Sequence, residues 1–302
     1  MPSLGVQNTN LMDCVPDVYI LTTNSQIQRC GTWFVKRMLK VMVTETVWVI
    51  EISIRLQKID FKDDVKMQYM GGKQLISTRI SEIINHEISG MGGATFVSLF
   101  CGACSIESKI KADTKILNDK HEYLIEMFKA LQNGYELPDE ITKEQYEYIK
   151  NNLDEDKALS GFVGFACSFG GKWFGGYARD DKRGRNYTQT GKRGLIKKMA
   201  GLQNATFISM DYKEVIIPNG SVVYADPPYS NTTAYGSKFK IDYDDFWDYM
   251  REISKNNIVF ISEEHAPDDF ECVWQKEVVR TLDKNLQNRP KKIEKLFKYR
   301  NA

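Results

Sequence analysis

The chain has 302 residues, of which 42% are hydrophobic and 27% charged, a composition that indicates a globular protein and argues against disorder over most of the chain. The 41 Lys and Arg residues nearly balance the 40 Asp and Glu residues, and a net charge of +1 gives no sign of a protein devoted to polyanions. Six cysteines and three scattered histidines argue against a disulfide scaffold and a metal enzyme, and no apolar stretch reaches the roughly 20 residues of a membrane span.

The first 66 residues differ from the rest, because they show neither a helical nor a strand periodicity. They also lack the basic-then-apolar pattern of a secretion signal, so we expect a cytoplasmic protein. We interpret residues 1–66 as a poorly ordered N-terminal extension and Met67 as the natural start. A truncated chain that begins at Met67 and loses folding or activity would contradict this hypothesis.

From Met67 onward the pattern becomes regular. Apolar residues over Lys73–Ile88 recur at the spacing of a helix with one apolar face. The short apolar run Thr95–Phe100 predicts a buried strand, and Thr114–Leu117 a second strand, followed by an amphipathic helix over His121–Leu131. This alternation is typical of a βαβ unit and therefore of a parallel sheet.

A change of composition interrupts the alternation between residues 135 and 204. Residues 135–157 contain eight acidic and three basic residues, whereas residues 172–198 contain nine basic and two acidic ones. We interpret 135–204 as an insert within an α/β domain formed by 67–134 and 205–302.

Beyond the insert the alternation resumes. The last two apolar stretches predict an antiparallel pair that closes an otherwise mostly parallel sheet. The predicted elements are strands at Thr206–Ser209, Ser221–Tyr224 and Ile258–Ile261, a helix at Tyr243–Ile253, and the terminal pair Val273–Leu282 and Ile293–Tyr299.

The most informative stretch, Asp226-Pro227-Pro228-Tyr229, directly follows an apolar strand. Ligands bind beyond the carboxyl ends of parallel strands, so this loop lies where chemistry is expected. The two prolines stiffen the loop and lack N–H groups, which leaves carbonyl oxygens beside a carboxylate. Such acceptors suit an NH₂ group on an aromatic ring, on which Tyr229 could stack. The alternative is an ordinary Asp-Pro turn.

Two further strand ends carry cofactor-like features. The strand that ends near Phe100 runs into the small-residue turn Cys101-Gly102-Ala103, as in nucleotide-binding cradles. Asp119, about seventeen residues later, stands where an acid can bind ribose hydroxyls, although it could equally cap the following helix. Asp211 ends a third strand.

Together these residues resemble the Dam-like (D12 class) DNA adenine-N6 methyltransferases. The motifs match in order: an aromatic followed by Gly-Gly-Lys, a Phe-x-Gly turn, two acids, and the Asp-Pro-Pro-Tyr tetrapeptide continued by Thr233 and Tyr235. They stand at Tyr69-Met70-Gly71-Gly72-Lys73, Phe100-Cys101-Gly102-Ala103, Asp119, Asp211 and Asp226–Tyr229.

The resemblance implies a Rossmann-like methyltransferase sheet with an inserted small helical DNA-recognition domain. It implies methyl transfer from S-adenosylmethionine to adenine N6 of a base flipped out of double-stranded DNA. The catalytic residues would be Asp226, Pro227, Pro228 and Tyr229. The residues expected to bind the cofactor are Tyr69, Lys73, Phe100, Gly102, Ala103, Asp119 and Asp211.

This sequence departs from the family at two positions against the cofactor. Ser98-Leu99 stands where the family usually has an acid-Pro pair, and Cys104 replaces a common second glycine. Two alternatives therefore stay open. One is a cytosine-N4 methyltransferase, although such enzymes more often carry serine at the position of Asp226, so the aspartate favours adenine. The other is a DNA-binding relative with impaired catalysis.

The basic part of the insert predicts the DNA contact. Its charges sum to +7, while residues 275–300 sum to +6, so the remainder of the chain is about 12 units negative. Aromatic residues and glycines lie among these cations. Cations contact DNA phosphates, aromatic side chains can wedge between base steps, and glycines permit close approach of the backbone. The candidate DNA-binding residues are Lys172, Arg179, Lys182, Arg183, Arg185, Lys192 and Arg193.

For partners we expect double-stranded DNA, no membrane and no metal, with the protein a monomer in a bacterial cell or a phage-infected bacterium. The sequence leaves open whether a cognate restriction enzyme accompanies it, and it does not reveal the recognised DNA site.

Overall fold

The computed structural model describes residues 69–179, 184–228, 241–279 and 291–300. Within these ranges the chain forms six α-helices and seven strands. The helices are α1 Ser77–Ser89, α2 Glu122–Gln132, α3 Lys143–Asn151, α4 Lys157–Ala166, α5 Tyr187–Met199 and α6 Tyr243–Ser254. The strands are β1 Thr95–Ser98, β2 Thr114–Asn118, β3 Ala205–Ile208, β4 Val222–Ala225, β5 Ile258–Glu263, β6 Phe270–Val279 and β7 Lys291–Tyr299.

The strands form one sheet in the order β3-β2-β1-β4-β5-β7-β6. The first five are mutually parallel, whereas β7 pairs antiparallel with both β5 and β6. The predicted mostly parallel sheet with an antiparallel terminal pair is confirmed. Because the carboxyl ends of the five parallel strands meet at one edge, the loops that follow them are brought together there.

Residues along the central strands alternate between two hydrophobic cores, one on each face of the sheet. In β4, Val222 and Tyr224 belong to one core, while Val223 and Ala225 belong to the other. The first core contains residues of α1, α2, α4 and α5, and the second contains residues of α6. The fold is therefore a sheet covered on both faces.

The N-terminal end of α1 differs from the prediction. The helix begins at Ser77 rather than at Lys73, and Leu75 is 63% exposed although its spacing matches the apolar face. Residues 69–76 instead form turns, in which Gly72 N donates to Tyr69 O and Ile76 N to Lys73 O. Gly71, just before the predicted start at Lys73, has a left-handed backbone (φ 79°), so a helix could not continue upstream of it either.

The segment predicted as an insert is helical where it is described, and its helices pack into the core of the sheet domain. Nearly all residues of α4 are buried, as expected of a helix that is apolar all round. This helix packs closely on α2: an added Cβ at Gly161 would lie 2.0 Å from the backbone oxygen of Tyr123. Phe162 and Leu195 belong to the same core as the strands, so α4 and α5 contribute to the core of the sheet domain.

In the described part of the chain, no helix combines the length and hydrophobicity of a membrane span. The same residues contain no group of three or more His, Cys, Asp or Glu side chains suited to a metal ion. Several predictions concern residues outside the described ranges, namely the extension 1–66, Met67, Lys182, Arg183, Tyr229, Thr233 and Tyr235.

Candidate active site

One cavity lies at the carboxyl edge of the parallel strands. Its walls are the loops after β1, β2, β3 and β4 together with the turn at residues 69–73. All described residues that the sequence predicts to be catalytic or cofactor-binding line it: Tyr69, Lys73, Phe100, Gly102, Ala103, Asp119, Asp211, Asp226, Pro227 and Pro228.

The loop after β1 turns sharply beside Tyr69. Gly102 has a left-handed backbone (φ 45°), and an added Cβ there would lie 3.1 Å from Cε1 of the Tyr69 ring. Cys104 also has a positive φ (52°) despite its side chain, which costs about 1 kcal/mol or more. The glycine common at this family position would adopt this conformation without strain.

Asp119 holds this loop in place. Its Oδ2 accepts from Gly102 N and its Oδ1 from His121 N, both at 2.9 Å. Burial raises the pKa of this carboxyl, while the two backbone hydrogen bonds act in the opposite direction. Asp119 therefore links the turn after β1 to the start of α2 and still lines the cavity.

Asp211 lies at the end of β3, where it caps a short 3₁₀ turn by accepting from Lys213 N. Its Oδ2 also pairs with Lys120 Nζ at 2.9 Å. Burial opposes ionisation, but the bonds from Lys120 and Lys213 prevail and lower the pKa of Asp211. The ring of Phe100 lies beside this loop, 5.2 Å from that of Tyr212, and gives the cavity an aromatic wall.

The loop after β4 carries a buried ion network. Lys73 Nζ lies 3.2 Å from Asp226 Oδ1 and 3.0 Å from Glu294 Oε2 on β7. Burial raises the pKa of Asp226 to about 6, although Lys73 lowers it. The pKa of Lys73 is raised: burial would lower it, but the two carboxylates outweigh that effect. Lys73 therefore supports the ionised form of Asp226.

A second contact steadies the proline pair. The Tyr243 hydroxyl lies 2.8 Å from Pro228 O and 2.8 Å from Glu263 Oε2. Burial raises the pKa of Glu263 to about 7. In contrast, Pro227 O accepts no hydrogen bond from the described residues, and Asp226 Oδ2 has no hydrogen-bonding partner among them.

Glu107 is a further cavity residue that the sequence analysis did not identify. It is 2% exposed, Ser98 Oγ donates to its Oε1 at 2.9 Å, and Ile106 N donates to its Oε2 at 3.1 Å. Burial raises its pKa to about 7. The sequence gives one indication of its importance, namely that position 98 lacks the acid that the family usually has there. Glu294 and Tyr243 carry no such indication in the residues around them.

The candidate DNA-binding residues that the structure describes lie apart from these buried groups. Lys172, Arg179, Arg185 and Arg193 are exposed, while Lys192 pairs with Asp139 at 2.8 Å.

The aromatic residues interleaved with these cations are less exposed than base-step wedging would require. Trp173 and Phe174 are half-buried and pack against the sheet domain, with the Trp173 ring stacked 5.4 Å from that of Tyr123. Tyr187 is also half-buried, with the guanidinium of Arg185 above its ring. Among the described residues of 135–204, the exposed aromatic side chains are Tyr148, at 57%, and Phe169, at 67%, and both precede these cations in the sequence.

The solved structures to which this chain is similar include the following three, each at low identity. An rRNA methyltransferase, AviRa, from Streptomyces viridochromogenes is 10% identical over 74% of this chain and 83% of its own, with a TM-score of 0.34. Precorrin-6y C5,15-methyltransferase from Geobacter metallireducens is 7% identical over 76% and 92%, with a TM-score of 0.31. Precorrin 8w decarboxylase from Methanobacterium thermoautotrophicum is 10% identical over 74% and 90%, with a TM-score of 0.32.

Comparison with protein families matches residues 69–163 and 174–295 to the D12 class N6 adenine-specific DNA methyltransferases. The match covers most of the chain and includes every motif on the cavity wall. The family implies S-adenosylmethionine as the methyl donor and adenine in DNA as the acceptor. The chain therefore belongs to the D12 class of N6 adenine-specific DNA methyltransferases, enzymes that methylate adenine N6 in DNA.

Proposed function

We propose that this enzyme methylates an adenine flipped out of the duplex, with Asp226 and Pro227 holding its amine. The observation that carries the proposal is the pair of acceptors without described partners, Asp226 Oδ2 and Pro227 O, on one stiff loop at the cavity. An amine inside stacked, paired DNA cannot reach such a loop, so the base must leave the duplex.

The residues of the cavity fit S-adenosylmethionine. Because Gly102 has no side chain, which would contact Tyr69, the backbone there can approach a ligand closely. Asp119 and Asp211 offer acceptors for the hydroxyl and amino groups of an adenosine. We propose that Tyr69, Phe100 and Ala103 complete this binding surface. The cofactor supplies a methyl group activated by its sulfonium sulfur.

Asp226 and Pro227 prepare the acceptor nitrogen. The lone pair of an aromatic amine is delocalised into its ring, and two acceptors holding its hydrogens favour a pyramidal nitrogen with a localised lone pair. Asp226 must be ionised to accept, and Lys73 on its Oδ1 favours that state. Pro228, whose carbonyl is bonded to Tyr243, keeps the loop in shape. We assign stacking on the base to Tyr229.

The lysine of the Gly-Gly-Lys motif lies on the cavity wall and also contacts the catalytic loop. The resemblance implied cofactor binding by Lys73, whereas its described contacts are to Asp226 and Glu294. We therefore propose that Lys73 acts first through the catalytic carboxylate, while its place on the cavity wall leaves cofactor contact as a second role.

The proposal predicts that Asp226→Ala abolishes methyl transfer, and that Asp226→Asn lowers kcat at least about a hundredfold, as loss of one transition-state hydrogen-bonding group does. Transfer of labelled methyl to unmethylated DNA measures both variants, and calorimetry should show that cofactor affinity is largely kept. Near-normal turnover by Asp226→Asn would contradict the role of Asp226 in holding the amine.

Mass spectrometry of the product nucleosides should show N6-methyladenine, whereas N4-methylcytosine would contradict the choice of base.

We propose that the segment 135–204 recognises DNA through its exposed cations. Lys172, Arg179, Arg185 and Arg193 support this assignment because exposed guanidinium and ammonium groups bind phosphates. Lys182 and Arg183 extend the predicted set. Sequencing of DNA from expressing cells with modified-base detection would report activity, base and recognised site together.

We propose further that the enzyme acts as a monomer in the cytoplasm of a bacterium or a phage-infected bacterium, since residues of one chain carry every role assigned at the cavity. A restriction-modification role requires an endonuclease that the same methyl group blocks. Digestion of methylated and unmethylated DNA by extracts of the source cell would test for it.

A further inference from the structure

The buried carboxyl of Glu107 has no role in the catalytic arrangement described above. It lies on the cavity wall in the loop that follows β1, together with Ser105 and Ile106. Ser98 Oγ and Ile106 N each donate one hydrogen bond to it, one to each carboxylate oxygen. The backbone N–H of Glu107 itself also donates to this carboxylate. A carboxylate has about four acceptor positions, so about one remains for a ligand.

Two of the other three cavity acids are in ion pairs, Asp226 with Lys73 and Asp211 with Lys120. The third, Asp119, accepts from the backbone N–H groups of Gly102 and His121 and is assigned to the adenosine half of the cofactor. Within the described ranges, Glu107 forms no ion pair. Two lysines interact electrostatically with Glu107, but neither donates to its carboxylate. Lys115 Nζ donates to the backbone carbonyls of Glu107 and Gly201. Lys198 Nζ donates to the carbonyl of Ala103 and to Ser105 Oγ.

A buried carboxyl on a ligand cavity matches a cationic ligand group. In the absence of such a group, burial raises the pKa of Glu107 to about 7, and the charge of Asp226 contributes to this increase. A cation bound against it would restore the ionised form. The cofactor carries one group of this kind away from its reacting sulfur, the α-ammonium of its methionine half.

The position of Glu107 agrees with this ligand group. Asp119 and Asp211, after β2 and β3, are assigned to the adenosine half, and Asp226, after β4, to the reacting end. The loop after β1 lies between them, because β1 pairs with both β2 and β4. Ser98, at the end of β1, orients the carboxyl of Glu107 by donating a hydrogen bond to it. Position 98 is where the family usually carries an acid.

We propose that Glu107 binds the α-ammonium of S-adenosylmethionine and thereby supplies, nine positions later, the carboxylate that position 98 lacks. This inference rests on the cofactor placement given under the proposed function.

The test is a thermodynamic cycle between one side chain and one ligand group. The ligands are S-adenosylhomocysteine and its α-deamino analogue, which lacks the ammonium, and calorimetry measures the Kd of each. For the wild type we expect at least about tenfold tighter binding of S-adenosylhomocysteine, the value of a charge-assisted hydrogen bond. In Glu107→Gln this preference should fall below about twofold, while the Kd of the analogue changes little.

A preference that persists in Glu107→Gln would overturn the role of Glu107 alone. Failure of the wild type to bind either nucleoside would instead overturn the cofactor placement. Ser98→Ala provides a second variant, which keeps the carboxyl but removes its orienting hydroxyl, and it should show an intermediate preference. If Glu107→Gln does not fold, an unchanged preference in Ser98→Ala would overturn the proposal.

Discussion

In the proposed mechanism, the ionisation state of a single carboxyl group, Asp226, decides whether the enzyme can hold its substrate amine. Burial raises its pKa to about 6, and Lys73 limits the increase from 3.2 Å away. Because only the ionised form accepts both from Lys73 and from the amine, activity should fall as the pH decreases through this pKa. Burial and Lys73 together would therefore set the lower end of the pH range in which the proposed mechanism operates.

Lys73→Met should raise the pKa of Asp226 further, since it removes the neighbouring positive charge and keeps the bulk of the side chain. We expect the acid limb of the pH profile of kcat/KM to move to higher pH, so that the loss of activity is larger at pH 6 than at pH 8. Lys157→Met, which removes the surface pair with Glu122, is the matched control and should leave the profile in place. An unmoved acid limb in Lys73→Met would refute the coupling.

At the scale of elements, the apolar runs and the alternation of strand and helix predicted the sheet well. Most of the predicted elements lie within one or two residues of the observed bounds, because a short apolar run bounded by turns is sufficient to mark a buried parallel strand. The start of α1 was predicted wrongly, since the apolar period begins at Leu75 and Ile76, which lie in the turn before the helix. Local period cannot distinguish such turns from a helix.

Close approach of α4 to α2 is the second feature that the sequence alone did not predict. Gly161 was not singled out in the sequence, yet its Cα faces the backbone of Tyr123 and no side chain fits between them. The contact depends on how two helices cross, which is a property of tertiary packing and not of either segment.

Gly161→Ala should therefore destabilise the protein, although alanine favours helices by about 1 kcal/mol. The added Cβ would lie 2.0 Å from a backbone oxygen, so the helices must separate, at a net cost of about 1–3 kcal/mol. Urea unfolding monitored by circular dichroism measures this. Gly92→Ala, where nothing lies within 4 Å of the added Cβ, is the control and should be close to neutral. Equal stability of the two variants would contradict the packing argument.

The catalytic network became visible only at the scale of the whole molecule. Lys73 and Glu294 are 221 positions apart, and their contact depends on the pairing of β5, β7 and β6. The motif residues could be predicted because the resemblance supplied their order along the chain. Glu294, Tyr243 and Glu107 could not, because their importance follows from which strands become neighbours and which residues face the cavity.

Buried acids also give the whole molecule an unusual dependence of stability on pH. The pKa of Glu107 is about 7 in the folded protein against 4.5 for the free group, so its contribution to stability is present below pH about 4.5 and is lost as the pH rises through about 7. Relative to the wild type, Glu107→Gln should become more stable between pH 5 and pH 8, by up to about 3 kcal/mol.

Urea unfolding of the cofactor-free protein at several pH values would measure this difference. Glu263→Gln offers an independent comparison, because burial raises the pKa of Glu263 to about 7 as well, and its variant should change in the same direction. A difference between Glu107→Gln and wild type that stays constant from pH 5 to pH 8 would show that the Glu107 carboxyl is not buried in its charged form.

The antiparallel placement of β7 beside β5 has a consequence for how the enzyme matures. Glu294 reaches Lys73 because β7 pairs with β5, so the charge balance around Asp226 depends on the strand that is last in the sequence among those described. A nascent chain on the ribosome that has not yet emerged beyond β5 has the five parallel strands but lacks this carboxylate. The charge network around Asp226 is thereby coupled to the completion of synthesis, and a chain terminated before β7 would lack part of it.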